Sequence, residues 1–151
     1  MHIRTVPFLL LSIFICVADQ VTKLMIQGSL HLLEVWQVTT FFNIVYYRNT
    51  GSAFGMFKHL GNTFFIIVSC MAIIVVAILM LRDEENRLGL SFILGGAAGN
   101  LTDRILHSYV IDFLEVHAGK HYWPAFNIAD SALTIGMGLL LINAWFHRKD
   151  T

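Results

Sequence analysis

Carboxyl groups in apolar surroundings are the residues of this sequence best suited to do chemistry. Asp130 stands near the head of "NIADSALTIG", a segment that otherwise reads as a membrane helix, and Asp112 interrupts the apolar stretch "SYVIDFLEV". Asp103 sits near the end of "GGAAGNLTDR", and Asp19 opens "DQVTK". Ionisable side chains at membrane depth are costly, and by default they are functional candidates. Two carboxyls held close in a partly dry site cannot both ionise, so one pKa rises and the pair shares a proton. The ionised member can take a proton from water, while the protonated member polarises a carbonyl or protonates a leaving amine. That chemistry is peptide hydrolysis with neither a metal ion nor a nucleophilic side chain. On the residues alone, Asp103 and Asp112 are nearly equal candidates for the partner of Asp130.

Rival chemistries lack their motifs. There is no G-x-S-x-G, no Walker loop and no His/Cys cluster, and of seven histidines only His117 and His121 are spaced i,i+4, in an expected loop. No metal and no cofactor are expected. Structural roles compete with catalytic ones for each acid. Asp19 and Lys23 are i,i+4 in the order that favours an ion pair. Asn100, Asp103 and Arg104 share one helical face and suit an inter-helix network. Asp130 suits the positive end of a helix dipole, yet that role leaves Asp112 unexplained.

The elements that position these residues must lie in a bilayer. Of 151 residues, 56% are hydrophobic and 13% charged, with mean hydropathy +0.67. A soluble domain of this size could not hide so much apolar surface. Zero net charge gives no sign of a nucleic-acid partner. Cys16 and Cys70 both lie in apolar runs and are expected to be buried small hydrophobes. No charged residue occurs between Lys58 and Arg82, which is enough for one span. Three further windows, Thr5–Ala18, Leu88–Thr102 and Ser131–His147, fall short of the roughly 20 residues a crossing needs. They reach full length only by taking in Asp19 toward Lys23, Asp103 with Arg104, and Asp130.

Four alternating spans bring all three polar span ends to one face. The expected spans are 6–26, 60–81, 88–106 and 128–147, with extracytoplasmic segments 27–59 and 107–127, as one domain over 1–151. Arg4, Arg82, Arg87, Arg148 and Lys149 lie in short flanks on one side; Lys23, Arg48, Lys58, Arg104 and Lys120 lie on the other. The count ties. The short flanks carry more weight under the positive-inside rule, so both termini are expected in the cytoplasm, with the acids at the outer face. Phe14 and Ile15 precede Cys16 where a cleaved lipoprotein-type leader would have small residues, so the first span is expected to be retained.

The fold class expected is a mainly α membrane protein. It is a four-helix bundle with a small β-rich segment between the first and second spans, because "LLEVWQVTTFFNIVYYRN" is rich in β-branched and aromatic residues. That segment is expected at the headgroups, half-embedded through Trp36, Phe41 and Phe42, with Arg104 and Lys23 held by acid partners. Gly95 with Gly99, and Ala132 with Gly136, are close-approach pairs for helix packing.

"DQVTK" (Asp19–Lys23), "NTGSAFG" (Asn49–Gly55), "GGAAGNLTDR" (Gly95–Arg104), "VIDF" (Val110–Phe113) and "FNIADS" (Phe126–Ser131) together resemble the lipoprotein signal peptidase family, bacterial signal peptidase II. The motifs run in order over nearly the whole chain. The one difference noted is Ala98, where many members have Leu. The resemblance implies an aspartic endopeptidase of the bacterial inner membrane that cuts signal peptides from prolipoproteins, before a diacylglyceryl-modified cysteine. It implies Asp112 and Asp130 as the catalytic pair, and Asn49, Gly51, Asn100, Asp103, Arg104 and Asn127 as substrate-positioning or supporting residues. Asp19 and Lys23 would brace the network. It implies membrane lipids and a globomycin-type cyclic peptide inhibitor as ligands, and nothing demands an oligomer, so a monomer is expected. Two readings from other classes remain beside it: a proton- or cation-coupled carrier using the paired acids, and a non-catalytic assembly factor.

Overall fold

The computed structural model describes residues 5–51 and 61–147. Ser52–Gly55 of the glycine motif, Lys58, and the flanking charges Arg4, Arg148 and Lys149 lie outside the described residues. Helix α1 (Val6–Ser29) is followed by β1 (Val35–Gln37), β2 (Phe42–Asn49), α2 (Asn62–Arg82), α3 (Arg87–His107), β3 (Val110–Ala118), β4 (His121–Tyr122) and α4 (Ile128–His147). Helices α1, α2 and α4 are long and apolar enough to cross a bilayer, α2 being the most apolar. Helix α3 falls below that apolarity.

The local causes are visible at the helix ends. Pro7 sits in the first turn of α1, where its missing N–H costs nothing. Between α2 and α3, the Asn86 N–H and amide both donate to the Asp83 carboxylate, at 3.2 and 2.7 Å, which closes the turn. Buried Arg87 donates from Nε to the Met80 carbonyl at 3.1 Å, satisfying one of the carbonyls left open at the end of α2.

Helix α3 contacts all three other helices. Glycines make this possible. A Cβ on Gly95 would lie 2.7 Å from the Ser12 carbonyl of α1, and one on Gly96 would lie 2.5 Å from the Ala129 carbonyl of α4. A Cβ on Gly136 would likewise lie 2.7 Å from the Gly89 carbonyl. Around these contacts Val76, Met80, Leu90 and Ile93 form the helical core. The expected pairs Gly95/Gly99 and Ala132/Gly136 both face neighbouring helices, the first α1 and the second α3.

The sheet corrects an expectation. It was placed between the first two spans, but its order is β1-β2-β3-β4, all antiparallel, so half of it comes from the segment after α3. Tyr47 pairs with Asp112 and Asn49 with Val110, while the register shifts between Ile44 and Tyr47. Such a bulge bends a strand and re-aims its side chains, here just before Asn49. Trp36 and Phe41 are well exposed and Phe42 half-buried. Cys16 and Cys70 are half-buried free thiols, less enclosed than their apolar runs suggested. Both sit on helices whose outer faces remain bare.

Close packing of α3 on α4 can be tested directly. Gly96→Ala must push α4 away next to Asp130 and should cost about 1–3 kcal/mol. Gly138→Ala meets nothing within 4 Å and should be neutral or stabilising by up to ~1 kcal/mol. Thermal unfolding in detergent reads both, and equal melting points would contradict the packing described.

Candidate active site

The acid at the head of α4 first serves the helix. The Asp130 N–H donates to Asn127 Oδ1 at 2.8 Å, and the Asn127 N–H donates back to Asp130 Oδ2 at 3.3 Å. This is a capping box, with Asn127 as N-cap and Asp130 as the reciprocating acid. Only part of Asp130 is used that way. Its Oδ1 accepts the Asn100 amide of α3 at 2.8 Å.

Asp112 lies near the start of β3 and is 3% exposed. Its Oδ2 accepts the Asn49 amide from the end of β2 at 3.0 Å, and its Oδ1 accepts the Asn127 amide at 2.9 Å. Asn127 therefore joins the two acids, its backbone N–H meeting the Asp130 carboxylate and its side-chain nitrogen the Asp112 carboxylate. Burial, and after it the negative charge of Asp130, push the Asp112 carboxyl up to about 7; the Asn49 and Asn127 amides and the Lys23 ammonium pull the other way. The competing candidate, Asp103, is committed elsewhere. It faces Lys23 at 3.0 Å, the Gln20 amide at 2.9 Å and the Ile111 N–H at 3.0 Å.

Behind the acids lies a buried ion cluster. Lys23 is 1% exposed and Asp19 0%. Lys23 Nζ reaches Asp19 at 2.7 Å and Asn100 Oδ1 at 3.1 Å, and Asp19 accepts the Ala129 N–H at 2.9 Å. The i,i+4 ion pair expected from the sequence is present and extends into a network of three helices and a strand. Gln20, which sequence reasoning passed over, bridges Asp19, Asp103 and the Gly99 carbonyl. It lies inside the "DQVTK" motif but carries no charge, and only its polarity on a buried helix face could have marked it.

Arg104 departs from expectation. It was expected to be held by an acid, but it donates from Nη2 to the Gly51 carbonyl at 3.1 Å and lies 4.4 Å from the centre of the Phe65 ring. Its Nη1 is buried without a hydrogen-bond partner among the described residues. Arg104, Asp130, Asn49, Gly51 and Asn100 share a cavity of about 600 Å³ with Phe65, Trp123 and Ile135. Asp112 is not among its wall residues. His117 and His121 flank the β3–β4 turn, where His117 stacks on Tyr122 at 4.8 Å.

Apolar helices of membrane length, together with a cavity walled by carboxyl, amide and guanidinium groups and backed by a second buried acid, define a membrane-embedded hydrolase. Comparison with known proteins names the kind. The family described as signal peptidase (SPase) II matches residues 11–146, and the chain belongs to that family of peptidases. The lipoprotein signal peptidase of Thermodesulfovibrio yellowstonii is 42% identical over 87% of this chain and 90% of its own length. That of Syntrophotalea carbinolica is 42% identical over 91% of this chain and 89% of its own. Among solved structures, a bacterial membrane enzyme determined in meso at 2.3 Å resolution aligns with a TM-score of 0.88 at 31% identity, covering 96% of this chain and 91% of its own. A second, at 1.9 Å resolution, aligns with a TM-score of 0.82 at 33% identity, covering 91% and 92%. The carrier and assembly-factor readings find no support in these likenesses.

The upward shift of Asp112 carries a stability consequence. A carboxyl whose folded-state pKa is raised opposes folding once pH exceeds its unfolded value near 3.8, and the penalty saturates above about 7. Asp112→Asn should therefore melt higher than the parent protein at pH 8 and close to it at pH 4. Melting curves in detergent at the two pH values check the sign, and a variant less stable at pH 8 would contradict it.

Proposed function

We propose that this chain removes the signal peptide from diacylglyceryl-modified prolipoproteins, with Asp112 and Asp130 as a proton-sharing dyad. The observation that carries the assignment is Asn127, one residue bonded to both carboxylates: its side-chain nitrogen donates to Asp112 at 2.9 Å and its backbone N–H donates to Asp130 at 3.3 Å. In the reaction, the ionised member accepts a proton from water as the water oxygen bonds to the scissile carbonyl carbon. The protonated member donates to the carbonyl oxygen. Collapse of the tetrahedral intermediate breaks the C–N bond, and the amine leaves with a proton returned through the dyad. Arg104 suits a substrate carbonyl, because it lines the cavity and its Nη1 has no hydrogen-bond partner among the described residues. Asn49, Gly51, Asn100 and Asn127 orient the acids and line the approach, Asp103 anchors β3, and Asp19 with Lys23 braces the whole.

On this reading α3 is a fourth span, shielded from lipid by its three neighbours. The whole of 1–151 acts as one domain and as a monomer in the bacterial inner membrane, with both termini cytoplasmic and the acids at the outer face. A lipid-bearing substrate partitions into the bilayer and enters sideways, its acyl chains on the bare helix faces and its scissile bond at headgroup depth. A globomycin-type cyclic peptide would compete for the same cavity.

Purified protein in detergent with a diacylglyceryl prolipoprotein provides the test. Asp112→Asn and Asp130→Asn should remain folded and lose about 10²–10⁴-fold in cleavage rate. The kcat/KM of the parent enzyme should decline as pH rises through about 7, where Asp112 gives up the proton the dyad needs. Cleavage at the parent rate by a folded Asp112→Asn variant would overturn the assignment.

A further inference from the structure

Three asparagines surround the two acids, and an amide is useful only if its oxygen and nitrogen face the right ways. The polarity of each follows from a neighbour that can only donate. Asn49 Oδ1 accepts the Gly51 N–H at 3.1 Å, and Asn127 Oδ1 accepts the Asp130 N–H at 2.8 Å. Their nitrogens are thereby turned toward Asp112. Backbone N–H groups fix these two, and no side-chain change removes them. Asn100 is different. Its Oδ1 accepts the Lys23 ammonium at 3.1 Å and the Asn127 amide at 3.2 Å. The Asn127 nitrogen also faces the Ile111 carbonyl at 3.1 Å and Asp112 at 2.9 Å, more acceptors than its two hydrogens can serve. Lys23 is therefore the donor that fixes Asn100.

Resting on the dyad reading above, we propose that Lys23 is a positioning residue whose ammonium turns the Asn100 amide so that an N–H, and not a carbonyl oxygen, meets Asp130. With Asn100 reversed, two oxygens would face each other across the 2.8 Å now spanned by the Asn100–Asp130 hydrogen bond. Only a proton on that Asp130 oxygen relieves the clash. The proton would then be held in a hydrogen bond to the Asn100 oxygen and withdrawn from sharing with Asp112. Lys23 thus keeps the shared proton available to the dyad. The charged groups that bear on this are Asp19 on α1, Asp103 and Arg104 on α3, Asp112 on β3 and Asp130 on α4.

The test is a double-mutant cycle on the pH profile of kcat/KM. Removing Lys23 alone strands two buried carboxylates, so the cycle is run in an Asp19→Asn background. There the ammonium leaves behind one carboxylate instead of two, Asp103, which keeps the Gln20 amide and the Ile111 N–H, and the amide oxygen at position 19 can still accept the Ala129 N–H. Lys23→Met should lower kcat/KM about tenfold or more and move the profile, and Lys23→Arg should recover part of the loss. In the presence of Asn100→Ala, Lys23→Met should add less than about a twofold further change. Independent, multiplying losses, or an unmoved profile in Lys23→Met, would overturn the proposal. Asp112→Asn in the same assay reports separately on the dyad itself.

Discussion

An ammonium group with no access to water cannot be left alone, and the architecture turns on how Lys23 is accommodated. Desolvating such a charge costs several kcal/mol unless its hydrogens and its charge are both matched. Asp19, Asp103 and the Asn100 carbonyl match them. The two carboxylates also accept backbone N–H groups of other elements. Asp19 takes that of Ala129, and Asp103 that of Ile111. Each of these residues immediately precedes one of the two candidate acids, Asp130 and Asp112. One ion cluster therefore fixes the chain at both places where an acid enters the site. The backbone supplies reach and the cluster supplies angle. Gly99 belongs to the same device, since a Cβ there would lie 2.6 Å from an Asp19 carboxylate oxygen. A larger residue would hold α1 and α3 too far apart for the cluster to form.

The same dryness acts in opposite directions on neighbouring acids. Asp19 and Asp103 are matched by an ammonium and by N–H donors. Among the described residues Asp112 receives amide hydrogen bonds alone, and it feels the negative charge of Asp130. Amides offset part of the cost of burying a carboxylate but bring no charge, so Asp112 holds its proton to about neutral pH. The separation of roles comes from which donors each acid meets, since all four are aspartates.

The sequence revealed local geometry well and non-local geometry poorly. Asp19 with Lys23 is a pair within one helical turn, and its spacing alone implied the contact later seen. The glycine pairs likewise announced which helix faces would be approached. Which groups Asp103 and Asp112 would meet was a different kind of question, because their partners lie on other elements far away in the chain. Asp103 was claimed by a lysine some eighty positions earlier. The sheet was half missed for the same reason, since β2 finds its partner in β3 across two helices. Arg104 was matched to an acid because charge complementarity can be read from residue types. Its actual partner, the Gly51 carbonyl, is backbone, which every residue has and no sequence pattern marks.

Helix α3 shows why hydropathy and membrane depth are separate quantities. Helix α2 buries only Val76 and Met80 and is the most apolar of the helices long enough to cross a bilayer. Helix α3 buries residues along its length, from Arg87 to Arg104, and is the helix that falls short of the apolarity criterion. A helix facing lipid must be apolar all round, because hydrocarbon offers no partner to a polar group. One enclosed by other helices meets protein, and protein can supply partners for Ser91, Asn100, Asp103 and Arg104. Low apolarity in α3 is thus a consequence of its central position. In the four-span arrangement proposed above, the polar groups gather on α3 because it is the one helix that the others insulate from lipid. The cost of placing a reaction centre at the membrane is met by spending lipid-facing surface on α1, α2 and α4, and the polarity of α3 is what that shielding makes possible.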